Sequence, residues 1–165
     1  MRTDVIALSS PLDTAFFSLL KGSYEQLLGR ALVPKVLDDV GEANWLYHDA
    51  PFAVLAQNTA DDPAFVYANI AAQRLFAYSW EEFSGLPSRL SAPVADRAAR
   101  NRLMAGVLSH GYAEGYRGLR VAGTGQRFWI EDVTIWNLMD ADADGAGSGD
   151  TVRGQAALIR AWSNA

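Results

Sequence analysis

Asp140, Asp142 and Asp144 alternate along the chain and Gly145 follows them, the D-x-D-x-D-G spacing of the first half of a calcium-binding loop. Alternate carboxylates in such a loop converge on a hard cation. The second half does not follow: position 12 counted from Asp140 is Thr151 where a bidentate Glu is required, and no helical pattern comes after it. The segment therefore reads as an Asp- and Gly-rich connection between strands, with no metal. Glu131 and Asp132 are a second acidic pair. Neighbours on one strand point to opposite faces, so these two cannot form a carboxylate dyad by themselves. The reading is a structural ion pair with Arg117, Arg120 or Arg127; the alternative is a polar handle or general base inside a cavity. Of the two histidines, His110 ends a helical pattern beside Gly111, where a cation suits the helix dipole, and His48 is expected to face solvent. Cys is absent, which removes disulfides, thiolate metal sites and cysteinyl nucleophiles. No G-x-S-x-G, phosphate-binding loop, dinucleotide fingerprint or H-E-x-x-H is present, and no spacing links Ser, His and Asp as a triad.

The elements that must position these groups are best marked between Phe65 and Gly85. Phe65, Val66 and Tyr67 form a β-prone run, and Asn69 offers a cap to a helix in which Ala72, Leu75 and Phe76 recur at helical spacing. Ser79 and Glu82 are spaced as a capping box for the next helix, which Gly85 and Pro87 stop. Further upstream, Ser10 and Pro11 predict a helix start, and Phe16, Leu20, Tyr24, Leu27 and Ala31 predict one apolar stripe over residues 10–33. Residues 1–9 are expected to be flexible. A polar linker with Asp38, Asp39 and Gly41 leads to a helical turn at Trp45 to Tyr47, then to a strand over Phe52 to Gln57. Asp96 to Ser109 reads as a helix whose apolar face is Leu103, Met104, Val107 and Leu108, with Gly111 as its cap. Tyr112 to Ala122 and Gln126 to Leu138 flank a Gly-Thr-Gly hairpin, and Val152 to Trp162 is the last strand. Trp129 and Trp136, an odd number of residues apart, are expected on opposite faces of their strand.

Aromatic strand, Asn, small residues, Leu-Phe and then Tyr-Ser-Trp-Glu-Glu-Phe resemble the first half of a PAS domain. Pro51-Phe-Ala-Val-Leu55, Leu86-Pro-Ser-Arg-Leu-Ser91, Arg127-Phe-Trp-Ile-Glu-Asp132 and Ile135-Trp-Asn-Leu138 more narrowly resemble the PAS-related MEKHLA domain, from about residue 16 to 160. The family occurs as small bacterial proteins and at the end of plant homeodomain leucine-zipper factors. The resemblance implies an α+β fold: a PAS-like five-stranded antiparallel sheet over residues 42–165, with helices on one face and an N-terminal helix capping the other. It also implies a small stand-alone bacterial sensor without an output domain. A cavity between sheet and helices would take a small, largely apolar ligand, lined by Val54, Tyr67, Leu75, Phe76, Met104, Leu108, Ile130 and Leu158. Asn69, Ser79 and Glu82 would be structural. The rival readings are a small-molecule enzyme using Glu131 or Asp132 as base in that cavity, and a ligand-free interaction domain. Haem-binding relatives use a His on the corresponding helix, but one unsupported His110 does not make that case. Absence of Cys excludes a flavin adduct, so no cofactor is expected.

Composition limits the partners. At 165 residues, half of them hydrophobic, the chain is of one-domain length and has a core to bury. A net charge of -5 with scattered arginines disfavours nucleic acid, which demands clustered positive charge. No signal peptide or membrane span is visible, and a cytoplasmic location is expected, with a homodimer or a signalling protein as partner.

Overall fold

The computed structural model describes residues 6, 8, 10–34, 37–140 and 151–165. Helices α1 (Thr14–Leu28) and α2 (Asp39–His48) precede strands β1 (Ala53–Gln57) and β2 (Phe65–Ala68). Helices α3 (Ile70–Phe76), α4 (Trp80–Phe83) and α5 (Arg97–His110) follow, with two 3₁₀ turns, Ser88–Ser91 and Val94–Asp96, between α4 and α5. Strands β3 (Tyr112–Val121), β4 (Arg127–Met139) and β5 (Val152–Asn164) close the fold. The sheet order is β2-β1-β5-β4-β3, and every neighbouring pair is antiparallel. The last strand thus enters the middle of the sheet, between β1 and β4. This is the expected α+β architecture.

The sheet is covered on both faces because its strands carry apolar side chains on both. Phe65, Phe76, Phe83, Val107, Phe128, Ile130, Val133, Ile135 and Ile159 form one core with α3, α4 and α5. Phe16, Leu20, Tyr24, Leu46, Val54, Tyr67, Trp136, Leu138 and Leu158 form the other, beneath α1 and α2. Ile6 and Leu8 also belong to this second core; the remainder of the segment 1–9, expected to be flexible, lies outside the described residues.

Several boundaries differ from the sequence reading for local reasons. Helix α1 starts after Asp13, whose carboxylate accepts from the Phe16 amide at 2.9 Å, while Ser10 only closes a turn on the Leu12 amide. It stops at Gly29, where a φ of 71° breaks the helix before Ala31 and Leu32. The stretch read as a polar linker is the start of α2, because Asp38 caps it through the Gly41 amide at 2.8 Å and Asp39 and Glu42 sit in the first turn. Lys21 of α1 then pairs with the buried Glu42 of α2 at 2.7 Å. No helix among the described residues is long and apolar enough to cross a membrane.

The two strand tryptophans depart from simple alternation. Phe128 and Ile130 face the α5 side, yet so do Val133 and Ile135, so the strand changes parity between them. Asp132 makes the change with a φ of 51°. The β3 register slips at the same place, around Tyr116, with Gly115 at φ 69°. Trp129 therefore shares the α1-side face with Trp136, and the expectation of opposite faces fails because it assumed an unbroken period of two.

Candidate functional site

Between the sheet and the α3–α5 layer lies a partly open cavity of about 40 Å³. Leu55 of β1, Phe65 of β2, Phe76 of α3, Met104 of α5 and Ile130, Val133, Ile135 and Ile159 of the central strands make its apolar wall. Gln57, Ser91, Arg100, Arg120 and Gln155 bring polar atoms to it.

These polar groups form a chain through the interior. Arg100 Nη2 donates to Gln57 Oε1 at 3.0 Å, and Gln57 Nε2 donates to Gln155 Oε1 at 3.2 Å. Gln155 Nε2 donates in turn to the Met104 carbonyl and to Asn137 Oδ1, and Asn137 Nδ2 reaches the Val107 and Leu108 carbonyls. One row of amides across β1, β5 and β4 thus fastens the sheet to α5. A fully paired network in a low-dielectric interior is rigid, because each lost partner strands another group. Arg100 is where the pairing ends: its Nε has no partner. Burial, with the positive charge of Arg120 added, pushes its guanidinium down to about 10.

Asn69 ties β1 to the start of α3 without lining the cavity. Its side-chain oxygen accepts from the Ala72 and Val54 amides, both at 3.0 Å, and its Nδ2 donates to the Leu46 and Phe52 carbonyls, both at 3.0 Å. Ser79 and Glu82 make the expected capping box: Glu82 N donates to Ser79 Oγ at 3.2 Å and Ser79 N to Glu82 Oε1 at 2.8 Å.

Of the eight residues expected to line a ligand cavity, Phe76, Met104 and Ile130 do so. Val54, Tyr67 and Leu158 lie on the opposite face of the sheet, under α1. Each is one or two positions from a residue that does line it: Leu55, Phe65 and the pair Ala157 and Ile159. For Val54 and Leu158 the error is one residue of parity, which reverses the face; Tyr67 and Phe65, two apart, separate because the β1–β2 register slips between Ala56 and Gln57, opposite Val66. Burial without a charge-stabilising partner pushes the Tyr67 phenol well above its ordinary value. Leu75 lines a separate, open cleft with Arg74, Phe128 and Trp162, and Leu108 turns outward, 54% exposed.

Neither acid proposed as a base enters the cavity. Glu131 pairs with Arg117 at 2.9 Å on the other face, where the Arg117 guanidinium also stacks 3.8 Å from the centre of the Trp129 ring. Asp132 is exposed at the bend. The parity change removes the base that the enzyme reading required. His110 is exposed and its Nδ1 lies 2.9 Å from the Gly106 carbonyl of its own helix, away from the cavity. The Asp142 and Asp144 part of the candidate calcium loop lies outside the described residues; Asp140 pairs with Arg153 at 2.8 Å.

Sequence reasoning passed over Arg100, Gln57 and Gln155, and it offered Arg120 only as an ion-pair partner for Glu131 or Asp132, a place that Arg117 takes for Glu131. A signal did exist: Arg100 falls three and four residues before Leu103 and Met104, on the face that α5 buries.

A five-stranded antiparallel sheet in the order 2-1-5-4-3, with short helices inserted between its second and third strands and a cavity beneath them, defines the fold class of PAS and LOV sensory domains. Solved structures agree. The PAS domain of a protein from Colwellia psychrerythraea superposes with a TM-score of 0.60 at 16% identity, over 74% of this chain and 96% of that one. The LOV domain of the blue-light activated histidine kinase of Erythrobacter litoralis EL346 gives 0.53 at 20% identity, over 67% and 95%. A PAS domain in complex with ethanol, from a transcriptional regulator in the LuxR family of Burkholderia thailandensis, gives 0.51 at 18% identity, over 70% and 93%. No curated protein matches the chain. The MEKHLA domain model matches residues 14–164, nearly the whole chain with α1 included, and the chain belongs to the MEKHLA domain family.

Proposed function

We propose that this domain is a non-enzymatic sensory module that admits a small molecule to the cavity between the sheet and α3–α5 and reports its presence through contacts with another protein. The observation that carries this reading is the cavity itself, partly open, mostly apolar but edged by the Arg100, Gln57 and Gln155 side chains. Apolar walls with a few convergent polar groups are the usual form of a small-molecule site. Its size sets the ligand. About 40 Å³ accommodates a molecule of few heavy atoms, whereas drug-sized ligands occupy roughly 300 Å³ or more. A flavin or a haem would require the core to be rebuilt. The amide row then offers the route outward: a ligand that favours one arrangement of Gln57 and Gln155 acts on both the sheet and α5, and it shifts the population by its difference in affinity for the two arrangements.

The small volume also supports a second reading, an interaction domain with a filled core that works through its surface alone. Native mass spectrometry of freshly purified protein, together with a thermal-shift screen of small alcohols, amides and carboxylates, separates the two. A copurified or stabilising molecule that perturbs Ile130 and Val133 by NMR supports the sensor. A core silent to every compound leaves the interaction domain.

A further inference from the structure

Two cations face this cavity and nothing among its lining residues answers them. Arg100 of α5 and Arg120 of β3 are 7% and 6% exposed, and both line it. Among the described residues neither makes a salt bridge, and no carboxylate lines the cavity. Arg100 has one neutral acceptor, Gln57 Oε1, and an unpartnered Nε. Arg120 has the carbonyl of its own neighbour, Leu119, at 2.8 Å, and lies 5.5 Å from the centre of the Tyr116 ring. The charged group acting on Arg100 is Arg120, which repels it; the nearby Tyr116 side chain is a neutral phenol. Burying one guanidinium without a counter-charge is costly, and burying two around one space compounds the cost. Such an arrangement is retained where an anion completes it, because a planar guanidinium fork offers a carboxylate paired donors.

We propose that the cavity is an anion site, in which Arg100 and Arg120 receive the carboxylate of a short-chain organic acid of the size of acetate or propionate and the hydrocarbon end lies among Phe76, Ile130 and Val133. The inference rests on the sensory reading above and gives it a ligand class. Carboxylate is favoured over an inorganic anion because the remaining wall is aliphatic and aromatic. It offers an alkyl group a partner and an oxyanion's far side none.

Calorimetric titration and thermal melting of the full chain with sodium propionate test this, with sodium chloride at equal concentration and the neutral isostere propionamide as parallel arms. Propionate is expected to bind and to raise the melting temperature, with methyl shifts at Ile130 and Val133, while chloride and propionamide do neither. Arg100→Met and Arg120→Met should each weaken propionate by roughly ten- to a hundredfold, the worth of a hydrogen bond to a charged group. Arg100→Met removes a buried charge but also the donor to Gln57 Oε1, so the discriminating readout is the propionate-induced rise in melting temperature, which the variant should lose; a purely structural arginine would leave that rise unchanged. Should Arg100→Met not fold, Arg120→Met carries the same comparison. Equal binding of chloride overturns the organic-acid assignment. Binding of propionamide as tight as propionate, indifferent to both arginine substitutions, overturns the anion site and leaves the cavity reading standing. If none of the three compounds nor ethanol perturbs the core, the cavity reading fails and this inference with it.

Discussion

The Asn69 side-chain oxygen accepts from the Val54 amide at 3.0 Å, fifteen residues upstream, while capping α3 through Ala72. One side chain thus joins β1 to the start of α3, and through its amide nitrogen it also holds the Leu46 and Phe52 carbonyls. A simple cap is worth about 1 kcal/mol. Asn69 does more, for it is fully buried and its loss leaves four buried main-chain groups short of a partner. Asn69→Ala is expected to cost about 3 kcal/mol or more, at about 1 to 3 kcal/mol for each group that water cannot reach. Asn69→Asp keeps the oxygen that accepts from Val54 and Ala72 but sets a buried carboxylate oxygen against the Leu46 and Phe52 carbonyls, and should cost at least as much at neutral pH. Urea denaturation measures both; a loss confined to the value of an isolated cap would mean that the contacts to Leu46 and Phe52 contribute nothing.

Lys21 and Glu42 join α1 to α2, and the pair makes stability depend on pH in a defined direction. The hydrogen bond from Lys21 holds the Glu42 carboxyl below its ordinary value, and the bond to Glu42 raises the Lys21 ammonium. A depressed carboxyl contributes stability that is full above the usual carboxylate range near about 4.3 and is lost as pH falls through the folded value; a raised ammonium contributes below about 10.4 and loses it as pH rises through its folded value. Glu42→Gln should therefore destabilise the protein by about 1 kcal/mol at neutral pH, an amount kept small by the partial exposure of Lys21. The gap between variant and parent should close toward pH 3. A gap that stays constant with acid would locate the effect in packing instead of charge.

Arg117 and Glu131 are close, 2.9 Å apart, yet both retain substantial contact with water. Exposed pairs contribute about 0 to 1 kcal/mol. Glu131→Gln is expected to change the denaturation midpoint very little and to leave propionate binding as it was, since Glu131 lies across the sheet from the cavity. A large loss of ligand binding in this variant would contradict the placement of Glu131.

Capping chemistry was the most legible part of this chain, because Asn69, Ser79 and Glu82 act within three residues of themselves and need no knowledge of the tertiary fold. Asp38 was equally readable as a cap but was outweighed by the polar character of its surroundings. Facing was harder. A strict period of two places Trp136 correctly against Ile135, but it fails across Asp132, where one residue of positive φ resets the strand, and hence it misplaced Trp129. The lining of the cavity failed at Val54 and Leu158 because Ala53 to Ala56 and Ala156 to Ile159 are apolar at every position, so the pattern there carries no sign of which face is which, and at Tyr67 because the β1–β2 register slips opposite Val66. Arg100 carries no mark in the sequence, and Arg120 reads only as an ion-pair partner for the acids of β4, because a buried arginine looks, in sequence, like any surface arginine. Only the enclosing structure distinguishes them.

The purified protein is expected to be colourless. A cavity of about 40 Å³ has no room for a macrocycle or an isoalloxazine, and His110 lies outside it, its ring 2.9 Å from a carbonyl of its own helix. The visible spectrum is the measurement, and a band that disappears in His110→Ala would overturn this expectation and make the domain a redox or gas sensor.

Helix α1 is expected to be indispensable to the sheet it covers. Its stripe of Phe16, Leu20 and Tyr24 is buried against the face bearing Trp136 and Leu138, with Leu27 half-buried at the end, all within one chain. Specific bonds fix the register of that packing: Trp136 Nε1 donates to the Leu20 carbonyl at 3.3 Å, while the Ser23 hydroxyl donates to the Met139 carbonyl and accepts from its amide. Tyr24 meets Trp136 edge-on with centroids 4.9 Å apart. Each large apolar side chain so buried contributes roughly 1.5 to 3 kcal/mol, and an amphipathic helix of fifteen residues has little stability alone, so neither surface persists without the other. Leu20→Ala should cost about 2 to 5 kcal/mol, since the residue is wholly buried and α1 cannot collapse onto the space while held by Ser23 and Trp136. Deleting residues 1 to 33 should expose Trp136 and Leu138, raise the binding of hydrophobic dyes, and lead to aggregation or to a new oligomer in which a second copy covers the sheet. Light scattering and melting of the truncated protein check this. If it keeps the parent's mass, melting temperature and dye response, the outer face does not depend on α1, and the Trp136 to Leu20 contact is incidental to the fold.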